Sequence, residues 1–547
     1  MMKDKSIVKR LCFLFLIATQ LVFILYFGHQ KRSFFCDEFF SYGLSNSEDY
    51  WTIQYDTGWV KKDYFLNYLE VKSGTPFSLK APYWNQTNDV HPPLYYVILH
   101  IACCLFRDSY SKWIGIGVNF IFLLLTDVCI YKIGMRLSRD WRISLLIAAV
   151  WSFSAAGMNT ALFIRMYMLQ TLEILLLVLI NIQIADKNFR MNFKERILIS
   201  LNVIAGGLTH YYYYLFAGAM AISVFLYLLY HKRKQEALKY LNSYVIGGGI
   251  NILVFPEAVN HIFREYRGVE VAHNLGGRAD HPLKAYLGFI NNSLFGGTLY
   301  LVLALFIISA VYCKLKISKD LKKQKLLNCT ESGSDANCEN SDRKAAIRTL
   351  DSGIKAIIIS TIIAAAVFLY VAIVGSQLVV NRYIMPMYPF FAMGEIYIIY
   401  KILKNFGIRR SKILITAILT LALSIMSLKV YGIDYLYKGY DEIKQTAEKT
   451  TDRKDCLLYY TENRDVFDDL DLYLYYDETY IFSHKMMDKL PEILAQRETN
   501  NEIVVNIDSS LSKKEKKQVM KEILRSTGYT SYELLYQTEF TTVYEIR

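Results

Sequence analysis

No Cys-x-x-Cys spacing occurs anywhere in the 547 residues, and the nine cysteines are scattered. Cys12, Cys103, Cys104, Cys129 and Cys313 lie inside apolar runs. Neither a zinc site nor a disulfide framework is supported by that arrangement. A glycine-rich phosphate loop is missing from the C-terminal part, and no stretch is duplicated as it would be in a transporter built from repeats. No small-residue cleavage site follows the N-terminal segment MMKDKSIVKR and its apolar continuation 11–28, so a retained first span is expected rather than a signal peptide. Basic residues outnumber acidic ones, 62 to 50. They sit in short clusters between apolar runs, and no nucleic-acid partner is expected.

What the chain has in excess is apolar and aromatic surface: 53% hydrophobic residues, with 43 Tyr and 31 Phe. Repeated apolar runs of about 18–22 residues match the length needed to cross a bilayer. The expected class is a polytopic α-helical membrane protein. Runs lie near 11–28, 113–131, 143–158, 164–184, 197–230, 241–256, 286–313, 355–379, 384–400 and 411–430. The stretch 197–230 is too long for one helix and is broken by His210-Tyr211-Tyr212-Tyr213-Tyr214, so it counts as two spans. The total is about eleven crossings.

Four basic residues fall in each of 1–10, 132–142, 187–196 and 232–239, ten in 314–355 and five in 401–412. Placing all of these in the cytoplasm puts 29–91, 157–165, 210–214, 257–285 and 377–383 outside, as the positive-inside rule expects. The count holds only if the short segment 93–106 does not cross. A re-entrant or outward-facing helix is therefore expected there, opened by Pro92 and Pro93. The sequence thus divides into a transmembrane domain, 1–430, and an extracytoplasmic soluble α/β domain, 431–547. The first carries an outer loop, 29–91, and a polar cytoplasmic loop, 314–354, expected to be mobile over 316–350. In the second, strand-like CLLYYTE, YIFS, EIVVNID and YELLYQ alternate with helical stretches near 466–476, 485–496 and 511–526.

The outward segments hold an unusual set of ionisable groups: Cys36-Asp37-Glu38, His91-Pro92-Pro93, Arg165-Met166-Tyr167, His210 with its tyrosines, and Arg382-Tyr383. Each has a bland reading. The acids could be a solvated helix end, the His-Pro-Pro mere helix punctuation, the arginines interfacial snorkels and the tyrosines a membrane-interface belt. Taken together they fall at one membrane face, and ionisable residues near apolar segments are costly enough to mark a site. Carboxylates supply a general base or a metal ligand, and arginines supply planar donors for phosphate. That pairing suits transfer of a group from a phosphate leaving group to a hydroxyl or amine.

The motifs FFCDEFFSYGL, DVHPPLYYVILH, FIRMYML, LTHYYYYLF and NRYIMPMYPF occur in the order found in one family. Over roughly residues 10–400 the chain resembles the polyprenyl-phosphate-sugar-dependent glycosyltransferases of GT-C architecture, family 39-like, the protein O-mannosyltransferase and aminoarabinose-transferase group. The resemblance implies that Asp37 is the catalytic base, with Glu38 helping to position the acceptor and His91 lining the same pocket. It implies further that Arg165 and Arg382 hold the lipid phosphate, while Tyr167, His210, Tyr211 and Tyr383 shape the pocket. The implied reaction is a single inverting displacement by a lipid, glycan or protein acceptor at the outer face of a bacterial plasma membrane. Some related enzymes use a divalent metal. No convincing ligand cluster is visible here, although Asp37, Glu38, Asp89 and His91 could in principle make one. The long sensor-like domain of eukaryotic protein mannosyltransferases is missing, which favours a cell-envelope acceptor. The competing functions are a transporter or flippase of polyprenyl-linked glycans and a non-catalytic scaffold. The first lacks the expected repeats, and the second leaves Asp37, Glu38 and Arg382 unexplained.

Overall fold

A computed structural model describes residues 2–48, 58–275, 281–327, 341–376, 378–408, 411–451, 454–461, 467–495 and 502–547. Among them, seven helices are long and apolar enough to cross a membrane: Ile7–Gln30, Lys112–Ser138, Tyr167–Asp186, Tyr212–Tyr230, Leu299–Ser318, Ser352–Gly375 and Lys412–Val430. Two bent pairs raise the number to nine if each forms one span. These are Trp141–Phe153 with Ala155–Leu162, bent by 62°, and Lys234–Val254 with Ala258–Asn274, bent by 105°. The two helices needed for eleven are weaker candidates. Phe193–Thr209 has 17 residues and carries Lys194, Glu195 and Arg196 in its first turn, while Tyr388–Asn405 buries Glu395 and ends on Lys401 and Lys404.

Two expectations for the helical part are corrected. The run 286–313 is not one helix but two, His281–Ser293 and Leu299–Leu327. Gly296 and Gly297 take positive φ of 56° and 87°, a conformation open chiefly to glycine. Asn291 Oδ1 then accepts from the Leu299 amide at 2.8 Å, satisfying an otherwise orphaned donor of the second helix. The polar loop expected over 316–350 is helical as far as Leu327 and again from Ser341, and 328–340 lies outside the described residues.

The expected short helix between the first two long spans is Leu94–Leu105, with Pro93 at its N-cap. Its 12 residues rise only about 18 Å, against a hydrocarbon core of about 30 Å. It packs on helices Cys36–Asn46, Lys80–Asn88 and Lys112–Ser138. Close approach between the loop helices depends on Gly43, because a Cβ there would lie 1.8 Å from the ring of Tyr68, itself buried. Gly43→Ala is expected to cost about 1–3 kcal/mol of stability through overpacking. A thermal-unfolding midpoint unchanged from the parent protein would contradict that reading.

After Lys412–Val430 the chain enters a six-stranded sheet of order β1-β3-β2-β4-β6-β5. Its strands are β1, Trp59–Lys61; β2, Lys454–Tyr459; β3, Tyr476–Phe482; β4, Ile503–Asp508; β5, Tyr532–Gln537; and β6, Thr541–Ile546. β2 runs parallel to both β3 and β4, and the remaining pairs are antiparallel. The alternation of a strand sends Leu457, Val505 and Ile507 to one face, against Val519, Met520 and Ile523 of the helix Lys513–Thr527. Cys456, Leu458, Val504 and Val543 face the other way, into the core continuous with the helix bundle. That helix starts on a Ser512–Glu515 capping box and stops at Gly528 in the left-handed conformation. The helix expected near 466–476 is a 3₁₀ turn at Leu470–Tyr475, and 462–466 lies outside the described residues. Unexpectedly, the edge strand β1 comes from the first loop of the helical part.

Candidate active site

The adjacent carboxylates Asp37 and Glu38, in the first turn of Cys36–Asn46, have different fates. Glu38 is 0% exposed. Its Oε2 accepts from Lys31 Nζ at 2.7 Å and from the Phe35 amide at 2.8 Å, and its Oε1 accepts from the Ile164 amide at 2.9 Å. It ties three segments together and offers no open side to a substrate, which is at odds with a direct role beside the acceptor. Asp37 keeps a side chain 22% exposed, with Oδ2 at 3.5 Å from Arg382 Nη2.

Two buried guanidiniums converge on Asp37 from distant parts of the chain. Arg382 sits in the 3₁₀ turn Asn381–Met387, where Pro386 prevents regular α-helix. Its plane lies over the rings of Phe35, at 5.3 Å, and Tyr383, at 5.7 Å, and Nη1 donates to the Tyr435 hydroxyl at 3.3 Å. Arg165 occupies the break between Ala155–Leu162 and Tyr167–Asp186. Its Nη1 donates to the Asp37 carbonyl at 3.2 Å, Tyr96 Oη at 3.0 Å and Ser41 Oγ at 3.4 Å, and its Nη2 approaches His91 Nε2 at 3.5 Å. None of these partners is a carboxylate. Asp37 and Asp89 act on this guanidinium without a direct hydrogen bond to their carboxylates, which leaves its N–H face to attract an anion, and planar guanidinium matches phosphate.

His91 is fixed from its other side. Nδ1 lies 2.7 Å from Asp89 Oδ2, so the network assigns Nδ1 as donor and turns the Nε2 lone pair to Arg165. Burial works against the charge of Asp89, but His91 and then Arg165 outweigh it and hold the carboxyl below its usual range. His210 stands beside them, its ring 6.4 Å from His91 and 5.9 Å from Tyr167. Burial, then the nearby His91 and Arg165, push its pKa down to about 3. The folded value lies below the unfolded one of about 6.5. The stability it contributes is therefore complete above about 6.5 and is lost as pH falls toward 3. Titration of the His210 ring by nitrogen NMR should show a neutral imidazole at pH 5, and half-protonation near 6 would contradict this environment.

Tyr167 stacks on Phe163 with centroids 5.9 Å apart and is buried. Tyr211 turns elsewhere: its hydroxyl meets His261 Nδ1 at 2.7 Å, and none of its contacts reaches Asp37, Arg165 or Arg382. The set Asp37, His91, Arg165, Tyr167, His210, Arg382 and Tyr383 is thus brought together, with Glu38 behind it and Tyr211 at its margin. The four candidate metal ligands do not converge. Glu38 is consumed by Lys31 and two amides, and among the described residues no group of three His, Cys, Asp or Glu side chains could hold an ion. This donor set does not fit a divalent cation, and no step is derived through one.

Sequence reasoning missed Lys31, Tyr96 and Tyr435. Tyr96 belongs to a quoted motif, whereas Lys31 and Tyr435 meet across 404 residues, Nζ donating to the Tyr435 carbonyl at 2.9 Å. Nothing local signals that contact.

The chain matches no protein-family model and no curated protein. Among solved structures it is similar to ArnT from Cupriavidus metallidurans bound to undecaprenyl phosphate, at 12% identity over 97% of either chain with a TM-score of 0.48. The apo state of the same protein gives 12% identity over 97% of either chain and 0.46. The oligosaccharyltransferase of Archaeoglobus fulgidus, tethered with an acceptor peptide containing the NVT sequon, gives 10% identity over 83% of this chain and 66% of that one, at 0.36. Similarities this distant assign neither a residue nor an activity.

Proposed function

We propose that the protein is an integral-membrane glycosyltransferase of GT-C type, family 39-like, that moves a sugar from a polyprenyl-phosphate donor to a cell-envelope acceptor at the outer membrane face. The observation that carries this reading is the pairing of one accessible carboxylate, Asp37, with two buried guanidiniums, one of them hydrogen-bonded to no carboxylate. Asp37 takes the proton of the acceptor hydroxyl, the acceptor oxygen bonds to the anomeric carbon, and the bond from that carbon to the phosphate oxygen breaks. The electron pair leaves with polyprenyl phosphate, whose charge Arg165 and Arg382 receive. One displacement inverts the anomeric configuration.

His91, locked by Asp89, and neutral His210 line the sugar side with Tyr167 and Tyr383. Glu38 acts as a positioning residue that holds the turn bearing Asp37 against the Phe163–Arg165 segment. The basic clusters support an outward site and an outward C-terminal domain in a plasma membrane. The rival reading, a flippase of polyprenyl-linked glycans, calls for no general base. Purified protein in liposomes, given a panel of polyprenyl-phosphate monosaccharides with envelope extract, should release polyprenyl phosphate and form a product of inverted anomeric configuration. Movement of the intact lipid between leaflets without release would favour the flippase.

A further inference from the structure

A cleft of about 470 Å³ lies between the helical part and the C-terminal sheet, lined by Phe35, Tyr435, Tyr437, Lys438, Glu539 and Phe540 with neighbouring apolar residues. Its volume is in the range of small-molecule sites. It borders the reaction centre through two of its walls. Phe35 and Tyr435 stack with centroids 4.3 Å apart, Arg382 lies over the first and donates to the second, and Asp37 is two residues beyond Phe35.

The opposite wall is the tip of the β5–β6 hairpin, fixed by its backbone. The Phe540 amide donates to Thr538 Oγ1 at 3.0 Å, and the Phe540 carbonyl accepts from the Ser509 amide at 2.9 Å. On the near side, Tyr435 and Tyr437 hold φ of 58° and 52°, a conformation bulky side chains rarely adopt. Such strain persists where surrounding structure over-determines it, and it gathers at ligand sites. Here both strained residues line the cleft.

We propose that this cleft is the acceptor subsite and that it takes a short stretch of polyhydroxylated glycan, a role that rests on the glycosyltransferase reading above. Phe35 and Tyr435 cover each other's faces, so the apolar surface for the C–H faces of sugars comes chiefly from Tyr437 and Phe540, and Lys438 and Glu539 supply hydrogen bonds at the rim. One cation and one anion leave the rim neutral, which suits uncharged sugars better than a phosphate or a carboxylate. The hairpin wall comes from the C-terminal sheet, so a lipid acceptor would meet aromatic residues and a charge of each sign there instead of an aliphatic trough.

The test is binding of chitotetraose, mannotetraose and maltotetraose to the full-length detergent-solubilised protein by saturation-transfer NMR, with a random decapeptide pool as the alternative ligand. At least one tetrasaccharide should bind, Phe540→Ala should weaken it by about tenfold or more, and Phe540→Tyr should restore it. Unchanged melting of both variants keeps misfolding out of the comparison. No saccharide binding, binding indifferent to Phe540→Ala, or peptide binding alone that depends on Phe540 would each overturn the proposal. Cleft-dependent saccharide binding without any release of polyprenyl phosphate from the donor panel would uphold the subsite and remove the transferase reading instead.

Discussion

Asp37→Asn is expected to lower the rate of sugar transfer by roughly 10²–10⁴-fold, the usual contribution of a positioned general base. The substitution keeps the shape of the side chain and removes its capacity to take a proton. Arg165 is held by the Asp37 carbonyl, not by its carboxylate, so that arm of the site stays in place. Arg382 loses a charged neighbour at 3.5 Å but keeps the Tyr435 hydroxyl and the Phe35 ring. The loss should therefore fall on kcat, with donor binding retained. Single-turnover measurement with labelled donor separates the two, and transfer at the parental rate would remove Asp37 from the chemistry. A matching loss in Glu38→Gln would arise differently. Glu38 touches Lys31 and two backbone amides, so its variant should lose stability together with activity.

The second large effect is expected at Lys31. The ammonium is 1% exposed and the Glu38 carboxylate 0%, and they meet at 2.7 Å. Lys31→Met strands a buried carboxylate, a change that costs about 3–5 kcal/mol when a buried pair is broken from one side. It also frees the Tyr435 carbonyl and with it the loop that holds the Arg382 guanidinium. The variant should inactivate faster on heating and show a weakened response to donor. Removing both charges in Lys31→Met with Glu38→Gln should recover much of the stability, because the desolvation cost of the stranded charge disappears. Inactivation half-lives of the two single variants and the double variant provide the measurement. A single variant as durable as the parent would mean that the pair carries no weight.

The helical part of this fold was largely legible because a membrane span is a long uniform signal. Long apolar helices occur where apolar runs do, and Pro93 opens the short helix before Leu94. What escaped were features a local pattern does not carry. The break between Ser293 and Leu299 depends on two glycines adopting positive φ and on one asparagine side chain bonding ahead to Leu299. Strand β1 has only three residues and gains its identity from pairing with Thr479 and its neighbours over 400 positions away.

The site was legible in its residue types and less so in their division of labour. Asp37, His91, Arg165 and Arg382 carry unusual chemistry for segments bordering apolar spans, and they meet. Asp37 and Glu38 read alike as adjacent acids, yet a helix turns successive side chains by about 100°. One therefore faces the pocket and the other the interior, and only the packing of Lys31 and Ile164 decides which. Tyr211 and His210 are likewise neighbours on a helix break, and the first is drawn away by His261. The bracing of the Asp37 turn by the sheet side was invisible. Ser33 donates to Asp471 at 3.1 Å, Arg32 pairs with Asp441 at 2.9 Å, and Lys444 pairs with the same Asp471. These contacts make the C-terminal part a support for the turn that carries Asp37.

The proposed function turns on whether two buried arginines hold a lipid phosphate beside Asp37. Equilibrium binding of polyprenyl phosphate to the purified full-length protein, compared with Arg165→Gln and Arg382→Gln, addresses that directly. Each loss of a charge-assisted contact of about 1.5–3 kcal/mol should weaken binding by roughly tenfold or more. Equal affinity in all three proteins would contradict the phosphate site.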